Sequence, residues 1–221
     1  MAKILITSGP TRQYLDPVRY LTNASSGRMG AALAKACLAL KHEVVIVSGP
    51  VGVEYPKPAR VIEVITTDEM LDAAVREFAS CDGAIGAAAP CDYRPEHVET
   101  QKISKTGQPL VVHLIETADV VATLGQSKRS DQWVVGFALE TDDRRFRSIV
   151  KLEKKHCDLI VSNGPDAIDS AHNSVDLIAA DGSLVASFKG TKESVATSIV
   201  GEIELRLVRS ADKNDVSARN K

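Results

Sequence analysis

The chain opens with a short apolar run, Ile4-Leu5-Ile6, and runs of this kind return along its length with polar stretches between them. Residues 3–7 read as a first strand, 43–48 as a second, 61–65 as a third and 83–89 as a fourth that is nearly free of polar side chains. Residues 133–138 and 159–161 are two more. The intervening stretches have helical periodicity. Residues 27–40 carry alanines and leucines at helical spacing with no interior proline. Thr66 or Thr67 is placed to cap a helix running to about Ser80, with Asp68 and Glu69 at the positive end of its dipole. Residues 144–155 read as a third helix. Buried strands alternating with helices predict an α/β fold, a Rossmann-like, doubly wound and mostly parallel sheet.

Two stretches break the alternation. Residues 95–109 are polar and end in a turn, and the β-like 110–115 follows, which suggests a flap leading into an added strand. Residues 175–188 alternate around Asp181-Gly182 and read as a β-hairpin. Beyond Leu207 the chain is polar, so 1–209 is expected to form one domain and 210–221 a disordered tail.

Composition narrows the function. The 221 residues are 44% hydrophobic, enough for one sizeable core. A net charge of −2 gives no electrostatic case for nucleic acid or an anionic membrane. No apolar run approaches the roughly 18–20 residues of a membrane span, and the N-terminus lacks the h-region of a secretory signal. Cys37, Cys81, Cys91 and Cys157 form no C-x-x-C pair, and the histidines show no ligand spacing. A reduced, cytoplasmic setting follows.

Several segments carry candidate chemistry. Ser8-Gly9-Pro10-Thr11-Arg12 follows the first strand, where α/β sheets bind ligands; its glycine, hydroxyls and Arg12 suit a phosphate, and Gly-Pro is equally an ordinary turn signal. Ser25-Ser26-Gly27 precedes a helix, and the hydroxyls either frame an anion or simply cap the helix. Asn23 offers both donor and acceptor, or is a turn asparagine. Ala87-Ala88-Ala89 leave room for a flat ring or an acyl group, and Asp92 can accept from a ribose hydroxyl or pair with Arg94. Lys102 and Lys105 suit a transferring phosphate or are solvated charges. Lys151 and Lys155 share a helix face by their i, i+4 spacing. Phe137 stacks on a base or belongs to the core.

Taken in order, these residues resemble the phosphopantothenoylcysteine synthetase family, of the bacterial nucleotide-dependent type. The likeness runs from Lys3 to about Leu207. It rests on ILITSGPTRQYLDPVRYLTNASSGRMG, VSGP (47–50), AAAPCDYRP (87–95), KISK (102–105), VVGFALET (134–141) and the K-x-x-x-K-x-x-D-L-I-V-x-N run from Lys151 to Asn163. The resemblance implies a ligase in which CTP activates 4′-phosphopantothenate and cysteine attacks the acyl-cytidylate. It implies magnesium, a homodimer paired through residues 110–115, and a free-standing enzyme without flavin. It assigns Asn23, Arg19 and Lys102 to catalysis, with Asn23, Arg19 and Ala89 at the acyl substrate. It assigns Gly9, Ser25, Ser26, Gly27, Ala87, Ala88, Asp92, Lys102, Phe137, Lys151 and Lys155 to the nucleotide. Ala118, Asp119, Val120 and Val121 are added for the triphosphate, where the family's Asn-Pro-Asp pattern is here Thr117-Ala118-Asp119. The metal ligands stay open. An NAD(P)-dependent oxidoreductase on the same fold is a rival, but no G-x-G-x-x-G follows the first strand and no tyrosine has a lysine four residues on. A non-catalytic nucleotide-binding module is the other.

Overall fold

The computed structural model describes residues 1–139, 143–164 and 172–209; the expected tail at 210–221 lies outside them. The parallel strands are β1 (Lys3–Ser8), β4 (Glu43–Ser48), β5 (Arg60–Glu63), β6 (Gly83–Gly86), β9 (Trp133–Leu139) and β10 (Leu159–Asn163). The antiparallel β11 (His172–Ala179) and β12 (Leu184–Thr191) extend them into one eight-stranded sheet, ordered β12-β11-β10-β9-β6-β1-β4-β5. The chain winds outward from β1 in both directions, and the order reverses between β1 and β6. That reversal leaves a crevice beyond the carboxyl ends of these two strands.

The strands read as continuous apolar runs because both faces are covered. Ile4 and Ile6 of β1 face α1 (Arg28–Ala39) and α5 (Lys192–Ile203), packing with Leu33, Cys37 and Ile199. Leu5 points the other way, into a second core with Met70 of α2 (Thr67–Phe78), Leu124 of α3 (Val120–Ser127) and Leu152 of α4 (Arg144–Lys154). Ile4, Leu5 and Ile6 are each fully buried, which contributes roughly 1.5–3 kcal/mol per side chain. Thr66 caps α2 as expected: its hydroxyl accepts from Glu69 N at 3.1 Å, and the Glu69 carboxylate returns to Thr66 N at 3.3 Å.

Two small pairings lie outside the main sheet. β2 (Arg12–Tyr14) and β3 (Tyr20–Thr22) form a short antiparallel ribbon, while β7 (Tyr93–Pro95) pairs with β8 (Leu114–Glu116). The strand expected over 110–115 is thus three residues long and shifted toward its end. Leu110 and Val111 before it are 58% and 76% exposed, because none of the described residues covers them. The hairpin expected around Asp181-Gly182 is present as β11 and β12, with Gly182 at φ +78° in its turn.

Candidate active site

A cleft of about 490 Å³ lies at the β1/β6 reversal. One wall is the loop from Asn23 to Gly30 at the start of α1, and the other is Ala87–Pro90 after β6, with Asp92 at the rim. Phe137, Lys151, Asn163, Asn173 and Lys192 close its inner end. Gly27, not Ser25 or Ser26, is the N-cap of α1, at φ +73° with no side-chain cap bond. The first-turn N–H groups of α1 therefore have no capping side chain, and the helix end presents them to an anion. Gly30 lets α1 come down onto β1: a Cβ there would stand 2.1 Å from Ser8 Oγ.

Asn23 bridges the two walls. Its Nδ2 donates to Pro90 O at 2.9 Å and Ala89 O at 3.3 Å, and Pro10 bridges Ala89 beside it. The amide oxygen remains to accept from a ligand. Cys91 turns away from the cleft, its N–H on Thr11 Oγ1 at 2.9 Å and its thiol toward Thr11 O and Leu21 O. Burial pushes Cys37 and Cys157 up to about 12 and Cys81 up to about 11, so these thiols stay protonated at neutral pH and are poor nucleophiles.

The cleft gathers Asn23, Ser25, Ser26, Gly27, Ala87, Ala88, Ala89, Asp92, Phe137 and Lys151. Other candidates stand elsewhere. Gly9 lies beneath the crevice, at φ +76° against Val51. Val120, the first residue of α3, is buried. Asp119 caps α3, accepting from Ala122 N at 3.0 Å, and holds the Lys155 ammonium at 3.0 Å. Burial raises the Asp119 pKa, but the Ala122 N–H and the Lys155 charge outweigh it and hold the carboxyl below its usual value. Lys155, Ala118, Asp119, Val120 and Val121 therefore do not line the cleft.

Lys102 is exposed on the loop between β7 and β8 and does not line the cleft either. That loop is tethered beside it. Asp16, fully buried, accepts from Val18 N and Arg19 N at 2.8 Å each and from Ile103 N at 3.1 Å. Arg19 Nε lies 3.2 Å from Asp16 Oδ2, and its guanidinium donates to Ile103 O. Arg19 thus anchors the flap next to Lys102. Burial raises the Asp16 pKa, but the three backbone N–H groups and Arg19 hold it below the usual value.

Sequence reading gave no role to Asn163, Asn173 or Lys192. Asn163 ends β10, at the carboxyl edge where ligands bind, and its buried Oδ1 has no hydrogen-bond partner among the described residues. Lys192 donates to Asn173 Oδ1 at 3.0 Å, both side chains buried. Only the antiparallel hairpin and the helix after it bring these two to the cleft. Among the described residues no group of three His, Cys, Asp or Glu side chains gathers to hold a metal. No helix of the described residues is long and apolar enough to cross a membrane.

Comparison with known proteins gives this geometry a lineage. Residues 1–206 match the family described as the DNA/pantothenate metabolism flavoprotein C-terminal domain. The chain is 43% identical over 162 residues, 73% of its length and 45% of the relative's, to a cysteine/cysteine sulfinic acid decarboxylase of an unknown prokaryotic organism. It is 41% identical over 175 residues, 78% of its length and 44% of the relative's, to the coenzyme A biosynthesis bifunctional protein CoaBC of Vibrio vulnificus. The chain thus spans a little under half the length of these relatives. A crystal structure of the C-terminal domain of a CoaBC protein superposes with a TM-score of 0.80 at 36% identity, covering 94% of this chain and 96% of that one. With nearly its whole length matched by the family and by a solved domain of the same topology, the chain belongs to the DNA/pantothenate metabolism flavoprotein C-terminal domain family.

Proposed function

We propose that the chain is a phosphopantothenate–cysteine ligase of coenzyme A biosynthesis that uses CTP. The observation that carries this reading is the convergence of Asn23, Ala87–Ala89, Asp92, Phe137 and Lys151 on one crevice at the strand reversal. Its two ends suit two ligand chemistries: a helix N-terminus with Lys151 for phosphates, and a wall of small residues beside an asparagine for an acyl chain. The names of the CoaBC relatives point the same way.

On this reading the substrate carboxylate attacks the α-phosphorus of the nucleotide and pyrophosphate leaves. The cysteine amine then attacks the acyl carbon and the nucleoside monophosphate leaves. Activation is needed because a carboxylate is a poor electrophile. Phe137 stacks on the base, and the uncapped turn of α1 with Lys151 receives the phosphates. Asp92 accepts from the ribose, and the Asn23 amide orients the acyl group. Lys102 enters when the flap, held at Ile103 by Arg19 and Asp16, folds over the cleft and neutralises charge developing on the phosphoryl oxygens. The described residues form no cage for magnesium, which in such sites is commonly carried on the phosphates. The exposed apolar run from Leu110 to Ile115 is the surface for a homodimer.

The test is pyrophosphate release with magnesium and 4′-phosphopantothenate, comparing CTP with ATP, with and without cysteine. Release that depends on phosphopantothenate, is faster with CTP and yields a cysteine adduct is expected. Nucleotide binding without release would leave a non-catalytic module.

A further inference from the structure

Tyr55, to which sequence reading gave no role, lies outside the cleft yet reaches one of its walls. It sits in the loop that joins β4 to β5, half-buried, with its ring packed against the core that α1 shares with the sheet. Its hydroxyl lies 2.7 Å from Ser48 Oγ and 2.9 Å from Ser8 Oγ. Ser8 Oγ in turn donates to Gly27 O at 3.3 Å. Three hydroxyls carry three protons. The one arrangement that fills all three links runs in a single direction: Ser48 donates to Tyr55, Tyr55 to Ser8 and Ser8 to the Gly27 carbonyl. Ser48 Oγ has Gly49 O at 2.8 Å as a second acceptor. The Ser8 proton is spent on Gly27 O, so the link between Tyr55 and Ser8 is made by the phenol's own proton.

The chain of hydroxyls ends on the peptide that opens α1. Gly27 O also accepts from Ala31 N at 3.1 Å, the first hydrogen bond of the helix. The Gly27 carbonyl and the Arg28 N–H share one rigid peptide plane, so whatever holds the carbonyl aims that N–H. Gly27 stands at φ +73°, and a glycine leaves the plane freer to rotate than any other residue does. Two donors on one carbonyl fix it. Packing supports them: a Cβ on Gly27 would stand 2.8 Å from Val51 Cγ1 and 3.3 Å from the Tyr55 hydroxyl. The loop after β4 therefore closes on the N-cap from behind, while Gly27 and Arg28 line the cleft in front. Tyr55 itself lines a different cavity, of about 850 Å³, formed by its own loop and β5.

We propose that Tyr55 is a positioning residue for the nucleotide: acting through Ser8, its phenol holds the Gly27–Arg28 peptide so that the first-turn N–H groups of α1 face the phosphates. The ligand's identity rests on the ligase reading; the relay of hydroxyls rests on the distances. The tyrosine touches no reactant, and its whole effect passes through one serine.

The experiment is calorimetric CTP binding and steady-state pyrophosphate release for wild type, Tyr55→Phe, Ser8→Ala and the double variant, with thermal unfolding alongside. Tyr55→Phe keeps the ring and removes only the hydroxyl. It should weaken CTP binding and raise the KM for CTP roughly 3- to 10-fold, the scale of one hydrogen bond, with the KM for cysteine unchanged. Ser8→Ala should do as much or more. The double variant should match Ser8→Ala alone, because the phenol has no other route to Gly27. A merely structural tyrosine would lower the unfolding midpoint and leave the ratio of the two KM values where it was. If Ser8→Ala fails to fold, Tyr55→Phe still reads that ratio. An unchanged CTP affinity in folded Tyr55→Phe, or losses that simply add in the double variant, overturns the proposal and leaves the ligase reading intact. A CTP affinity that depends on the Tyr55 hydroxyl in a protein releasing no pyrophosphate upholds the proposal and removes the ligase.

Discussion

Asp119 and Lys155, both expected at the nucleotide, are each other's partner, with Oδ2 and Nζ 3.0 Å apart. The pair joins the start of α3 to the end of α4 outside the cleft, whereas Lys151, one turn earlier on α4, lines it. Lys151→Met should raise the KM for CTP at least about tenfold. Lys155→Met should leave that KM within about threefold and lower the unfolding midpoint slightly, as for a partly exposed pair worth about 1 kcal/mol or less. Equal KM shifts in steady-state assays of the two variants would contradict this division.

Lys102→Ala should abolish pyrophosphate release while thermal unfolding stays unchanged, since the side chain is exposed and supports no packing. Wild-type turnover in that variant would remove the flap lysine from the mechanism. Asn23→Asp should impair turnover more than CTP affinity, because a carboxylate cannot donate to Pro90 O and Ala89 O. An equal loss of CTP affinity would argue against an acyl role.

Acid should loosen the flap. The folded pKa of Asp16 lies below 3.8. Between that folded value and about 3.8 the unfolded chain binds more protons than the folded one, so stability rises with pH through this window. The contribution is complete above it and is lost as pH falls through the folded value. Asp119 behaves in the same sense. Asp16→Asn should flatten the slope of stability against pH below about 4 and speed proteolysis of the loop around Ile103 at neutral pH. A variant whose acid slope and cleavage rate match wild type would show that the tether does not hold the flap.

Gly30→Ala places a methyl group against Ser8 Oγ. Overpacking of this kind costs about 1–3 kcal/mol, a drop of several degrees in Tm for a chain of this size. Calorimetric unfolding measures it, and an unchanged Tm would mean that α1 lifts without cost.

Much of the frame was legible because strands buried on both faces leave an unbroken apolar signature, as in Ile4-Leu5-Ile6 and Val134-Val135. The cap of α2 was legible because Thr66 and Glu69 form a local motif. Helices α3 and α5 were not. Val120-Val121 opens α3 with β-branched residues, and α5 holds Val195, Thr197, Ile199, Val200 and Gly201, so intrinsic propensity speaks against both. Packing on the sheet decides them, and that information is tertiary. The cleft residues near Asn23 and Ala87–Ala89 were legible as small-residue loops after strands. Asn173 and Lys192 were not, because only the hairpin and α5 carry them there. The pairing of Lys155 with Asp119 was hidden for the same reason: it spans 36 positions of chain.

The stitch from Asn23 to the carbonyls of Ala89 and Pro90 spans the mouth of the crevice, between the loop that follows β1 and the loop that follows β6. An acyl oxygen that recruits the Asn23 Nδ2 donor, rather than the free amide oxygen, competes with that stitch. On the proposed ligase reading, substrate arrival would be a mechanical event as well as a chemical one, slackening one lip of the crevice from the other where a third reactant must next enter.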